Sequence, residues 1–133
     1  MPTPMPEPLP AQTNQIAKQV LDAAFKVHTF LGPGLLESVY EACMAYELRK
    51  VGIECKTQVP QPVIYENLKM ELGFRVDMVV ADRVIVEIKS VEILLPVHEA
   101  QLITYLRLTG KRLGLLINFN VPMLKDGIRR RVL

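Results

Sequence analysis

The spacing of apolar positions changes along this chain from helical to extended, back to helical and then to extended again. From residue 13 or 14 to residue 31, Ile16, Val20, Ala23, Ala24, Val27 and Leu31 fall on one helical stripe. Asn14 is the expected N-cap. Gly32 and Pro33 stop this helix, because Gly accepts a left-handed turn and Pro cannot continue the spiral. Gly34 starts a second helix over residues 35–51, ended by Gly52. Extended segments follow at 54–59 and 63–66, bounded by Pro60, Pro62 and the Glu66-Asn67 turn. Residues 69–80 read as a strand with an irregularity at Gly73. Residues 84–88 are rich in branched apolar side chains and predict a strand buried on both faces.

Pro96 opens a third helix that reaches Thr109 and stops at Gly110. Residues 112–119 form a further strand, and 128–133 a short additional one. Leaving that short last segment aside, the order α-α-β-β-β-β-α-β, with no internal repeat, predicts a mixed α/β or α+β domain. Pro2, Pro4, Pro6, Pro8 and Pro10 leave few backbone donors, so residues 1–12 are expected to be a Pro-rich extended tail, and 13–133 a single domain.

Composition narrows the class. The 133 residues suit one core; half of them are hydrophobic and 23% are charged, as in a globular protein rather than a disordered one. The formal charge of +2 does not mark a nucleic-acid binder, yet leaves room for a local basic patch at Lys125 and Arg129-Arg130-Arg131. The apolar stretch around Val76 to Ile88 is broken by Asp77, Asp82, Arg83 and Glu87, so it does not span a bilayer. There is no secretory pattern at the N-terminus, and Cys43 and Cys55 lack zinc spacing. The expectation is a cytoplasmic protein with reduced thiols. His28 and His98 are too far apart for a typical zinc site.

The candidate chemistry lies where charge interrupts the apolar strands. Asp77, Glu87 and Lys89 are costly to bury unless paired or bound to a cation. Glu87 and Lys89 are two apart and share one face of a strand. If Ala81, Asp82 and Arg83 form a three-residue connection, Asp77 lies opposite Glu87, with β-carbons about 5 Å apart. A two-residue turn would oppose residue 77 to 86 and separate the carboxylates. Two carboxylates this close share a proton or a cation. Hard oxygen ligands with open positions suit Mg²⁺ or Mn²⁺. A Lys–carboxylate pair near a strand end fits the same spacing.

Helices add polar faces. Glu37, Tyr40, Glu41 and Met44 share one face of the second helix, with Glu37 in its first turn. His98, Gln101 and Tyr105 share one face of the third. Gln and Tyr there suit a phosphate or a base as well as solvent.

Gly34-Leu-Leu-Glu37-Ser-Val-Tyr40 resembles the pattern that gives the GxxExxY protein family its name. The likeness runs over nearly all of residues 14–133, including the stretches from Pro96 to Tyr105 and from Gly114 to Val121. That family is similar to the PD-(D/E)XK nucleases. Asp77 with Glu87-Ile88-Lys89 resembles their signature, with Val76 where the superfamily name has proline. Gln101-x-x-x-Tyr105 resembles the extra motif of the RecB-like branch.

The resemblance implies a restriction-endonuclease-like core, a central mixed β-sheet flanked by helices. It implies a Mg²⁺- or Mn²⁺-dependent nuclease acting on DNA. Asp77 and Glu87, with the backbone carbonyl of Ile88 and with Glu37, would hold the metal. Lys89 would position or activate the attacking water. Gln101 and Tyr105, with Tyr40 and His98, would support the site, although a hydrogen bond within the third helix accounts for His98 as well. Arg129, Arg130 and Arg131 are the candidate backbone contacts to nucleic acid. Small domains of this fold often cleave as symmetric dimers, so a homodimer is expected. A nuclease fold without turnover, binding nucleic acid or a protein partner, is the alternative.

Overall fold

The structure is a computed structural model that describes residues 7–133; the expectations on Pro2, Pro4 and Pro6 lie outside the described residues. The elements run α1 (Ala11–Leu31), α2 (Glu37–Lys50), β1 (Cys55–Tyr65), β2 (Leu68–Val80), β3 (Val84–Lys89), α3 (Pro96–Thr109), β4 (Leu113–Asn118), a 3₁₀ turn (Leu124–Gly127) and β5 (Ile128–Val132). The strands form one sheet in the order β1-β2-β3-β4-β5. Among the described residues only β3 and β4 pair in parallel, with α3 as the crossover that such a pair requires.

Two elements depart from the sequence pattern. Asn14 does not cap α1. The helix begins at Ala11 because the carbonyl of Pro10 accepts the N–H groups of Thr13 and Asn14. Asn14 instead accepts a hydrogen bond from Arg130 through its side chain. The segments 54–59 and 63–66 are one strand, β1, running through both prolines. β1 is an edge strand, where a missing proline N–H need cost no ladder bond. From the pair Gln61–Phe74 to the pair Val63–Met70, β2 uses two more residues than β1. Gly73 lies inside that bulge, where a Cβ would collide with the Val63 side chain.

The sheet separates two cores. On one face, Val20, Ala24 and Val27 of α1 and Met44 and Leu48 of α2 pack on Met78, Val80, Val84, Val86, Leu115 and Ile117. On the other, Leu102 and Leu106 of α3 pack on Val76, Val79, Ile85 and Leu116. This is a mixed sheet flanked by helices, in which Val84, Ile85, Val86, Glu87 and Ile88 of β3 are all buried. Carbonyls and amides of a strand this enclosed are satisfied only by its neighbours, so its position is closely fixed.

Candidate active site

The β2–β3 hairpin sets the geometry. Its pairs are Met78–Val86, Val79–Ile85 and Val80–Val84, which leaves Ala81, Asp82 and Arg83 as a three-residue connection. Ala81 and Asp82 take left-handed φ values of 52° and 55° to close it. Continuing the same register brings Asp77 level with Glu87. The ladder stops one pair short, and side chains take over. Asp77 Oδ2 accepts the Ile88 N–H at 2.8 Å, and the Asp77 N–H points to Glu87 Oε1 at 3.4 Å.

Glu87 is 5% exposed and, among the described residues, the only buried acidic one. Burial, and then the adjacent Asp77, push its carboxyl up to about 9, against a smaller opposing pull from Lys89. A carboxyl held that high keeps a proton at neutral pH. A divalent cation between Asp77 and Glu87 is the other way to offset the same repulsion. The donor set consists of hard oxygens and is small enough to leave sites for water, so it suits Mg²⁺ or Mn²⁺. Among the described residues, no three His, Cys, Asp or Glu side chains are gathered closely enough to hold a metal by themselves.

Glu37 stands at the start of α2 and is exposed. Its Oε1 accepts the N–H of Ser90, the residue after Lys89, at 3.2 Å, and Ser90 Oγ donates to Leu35 O at 2.6 Å. These bonds tie the first turn of α2 to the end of β3. Tyr40 lies fully buried rather than lining the site. Its hydroxyl donates to Gly32 O at 2.6 Å and accepts from the Leu35 N–H at 3.1 Å, while its ring stacks on Phe119 at 4.4 Å. The Gly34-x-x-Glu37-x-x-Tyr40 spacing thus has a mechanical reading. Gly34, at φ 98°, makes the turn, Tyr40 pins it, and Glu37 is presented.

From α3, Tyr105 stacks on Phe74 with 4.3 Å between ring centroids. Burial first, then the charges of Glu87 and Asp77, push its phenol up; Gln101, beside the hydroxyl, pulls the other way. Both α3 residues therefore belong to the neighbourhood of the acidic pair. His98 is engaged at the start of its own helix. Its Nδ1 accepts the Leu95 N–H at 3.0 Å and satisfies a donor at the helix start.

The three arginines lie on β5 and split between the two faces of the sheet. Arg131 and Arg129 pair with Glu99 of α3, whereas Arg130 donates to Asn14 of α1. They do not form one patch.

Gln58 and Asn118 are polar residues at the site that the sequence pattern did not single out. Gln58 Nε2 lies 2.8 Å from Glu41 Oε2 and 3.4 Å from Asp77 Oδ1. Glu41 is one turn beyond Glu37, a spacing that is visible in sequence; Gln58 carries no such signal. Burial raises the Glu41 carboxyl, Gln58 lowers it, and Asp77 raises it further. Asn118 is buried at the end of β4 and holds Val91 by both its N–H and its carbonyl, which anchors the chain just after Lys89.

A mixed sheet covered by helices, with an Asp on one strand and Glu-x-Lys on the next, defines a restriction-endonuclease-like domain. The family model of the PD-(D/E)XK nuclease superfamily matches residues 14–131, and the chain belongs to that superfamily. No curated protein and no solved structure matches it in searches of either kind.

Proposed function

We propose that this protein is a divalent-metal-dependent nuclease that hydrolyses phosphodiester bonds in DNA. The observation that carries the reading is the apposition of Asp77 with buried Glu87, with the charge of Lys89 close enough to act on Glu87. Asp77 and Glu87 would hold Mg²⁺ or Mn²⁺, with the carbonyl of Ile88 as a further oxygen donor, and Glu37, held on the Ser90 N–H, would act on the ion through a bound water. Such a cation, when bound, polarises the phosphate and makes bound water more acidic. Lys89 orients the attacking water and offsets negative charge that develops on the phosphate oxygens. In the overall reaction the water oxygen bonds to phosphorus, the ester oxygen leaves, and a proton passes from water to solvent or to the leaving group. Gln101 and Tyr105 hold the α3 side of the site against the acidic pair. A homodimer remains part of this reading, and sedimentation analysis tests it.

The test is incubation of the full chain with single-stranded, duplex and branched DNA in Mg²⁺ or Mn²⁺. Glu87→Ala and Lys89→Ala should abolish cleavage, which a contaminating nuclease would survive. Wild-type protein that cleaves none of these substrates and binds neither metal by calorimetry refutes the reading.

A second reading, a binding module without turnover, is favoured by a different feature. A groove of about 810 Å³ between α1 and α2 is lined by Phe25, Phe30, Cys43 and Tyr46. A protein partner seated there would bind equally well after Glu87→Ala.

A further inference from the structure

Gln58 takes an unusual backbone conformation beside the site. Its φ is 49°, a left-handed value that a side chain with a Cβ adopts at a cost. The β1–β2 ladder is in register on both sides of it, at Thr57–Met78 and Val59–Val76, but the intervening pair Gln58–Asp77 is missing. The faces of β2 change over at the same place. Val76 packs in the α3 core, yet Met78, two residues on, packs in the α1–α2 core. Strict alternation would put both on one face. The distortion therefore spans Gln58 and Asp77 together.

What the distortion achieves is visible in the side chains. The Gln58 amide nitrogen, with two protons, lies between Glu41 Oε2 and Asp77 Oδ1. Asp77 Oδ2 is meanwhile taken by the Ile88 N–H. Both oxygens of Asp77 are thus directed by neighbours, and Glu41 of α2 is drawn toward the β2 carboxylate despite their like charges.

We propose that Gln58 is a positioning residue of this site, its amide holding Glu41 and Asp77 in one arrangement. The proposal rests on the nuclease reading above for its consequence in catalysis, but its geometry is separate from that reading. A strained residue persists where the surrounding structure over-determines it, and glycine would occupy φ 49° at no steric cost. Ala81 and Asp82 take similar left-handed values in the β2–β3 connection, so the backbone alone does not single out Gln58; its amide contacts to Glu41 and Asp77 do.

Two variants separate the roles. Gln58→Met keeps the length and removes the donor. Gln58→Gly removes the side chain and relieves the backbone. Calorimetric Mn²⁺ titration of the full chain should show affinity lowered by about 10-fold or more in both, as is usual when a group that orients a ligand is lost. DNA cleavage should show kcat reduced with KM unchanged, and the melting midpoint of Gln58→Gly should be no lower than wild type. Wild-type Mn²⁺ affinity and kcat in both variants would overturn the proposal. If wild-type protein neither binds Mn²⁺ nor cleaves DNA, the nuclease reading fails by itself. A metal-free crystal structure of Gln58→Met then decides the positioning role: separated Glu41 and Asp77 carboxylates uphold it, and unmoved ones overturn it.

Discussion

The carboxylate of Asp77 accepts the backbone N–H of Ile88 across the β2–β3 hairpin at 2.8 Å. It completes the hairpin where the backbone ladder has stopped. One side chain therefore serves both the fold and the site. Fixing Asp77 to the strand that carries Glu87 holds the two carboxyl groups together without a salt bridge to either among the described residues.

Glu87 sets the pH dependence of metal-free stability. Its carboxyl titrates near 4.5 when unfolded and near 9 when folded. Between these values the folded state holds a proton that the unfolded chain has released. Stability linked to this group is full below about pH 4.5 and declines as pH rises toward 9, by up to about 1.4 kcal/mol per unit for one proton. Urea unfolding in a chelator across this range measures the slope. Glu87→Gln, which resembles the protonated acid, should flatten it; an unchanged slope would show that another group is responsible.

Tyr40→Phe should lower stability by about 1–3 kcal/mol, since the Gly32 carbonyl and the Leu35 N–H both lose a partner at the turn. The same change loosens the turn that presents Glu37, so cleavage should fall although Tyr40 is buried away from the acidic pair. Chemical denaturation read beside single-turnover cleavage checks both parts. Full activity in a destabilised variant would leave Tyr40 a purely structural residue.

Gly114 is where β4 passes beneath α3. A Cβ at this position would lie 2.7 Å from Leu102 Cδ1. Gly114→Val should cost about 1–3 kcal/mol by overpacking and push α3, with Gln101 and Tyr105, away from the sheet. A melting midpoint equal to wild type would mean that Leu102 yields without moving the helix.

The arginines of β5 are occupied by Glu99 and Asn14 on opposite faces. Changing Arg129 and Arg131 to Gln should leave the salt dependence of DNA binding nearly unchanged. A slope of log K against log salt flatter by about 0.9 for each arginine removed would instead identify them as phosphate contacts.

Much of the architecture is legible in the chain because it depends on local periodicity. The apolar stripe of α1, the Gly110 stop of α3 and the branched run of β3 each follow from spacing alone. The hairpin that opposes Asp77 to Glu87 was readable as a condition, not as a result. The sequence required an odd connection, and only the paired strands supplied Ala81–Arg83. The Asn14 cap failed for a local reason, and the split of β1 at its prolines for a tertiary one. The Pro10 carbonyl took over at the helix start, and an edge position tolerated Pro60 and Pro62.

By itself, then, the sequence determined a mixed α/β fold and the acidic-lysine set, because element type and residue chemistry are written in short spacings. The tertiary structure decided how those residues meet. It buried Glu87, which raised its carboxyl. It turned Tyr40 inward, and His98 and the arginines toward structural partners. It also brought Glu41 and Gln58, 17 residues apart in sequence, to hydrogen-bonding distance beside Asp77. Contacts between distant segments depend on register, bulges and burial, and no short-range pattern in the chain encodes them.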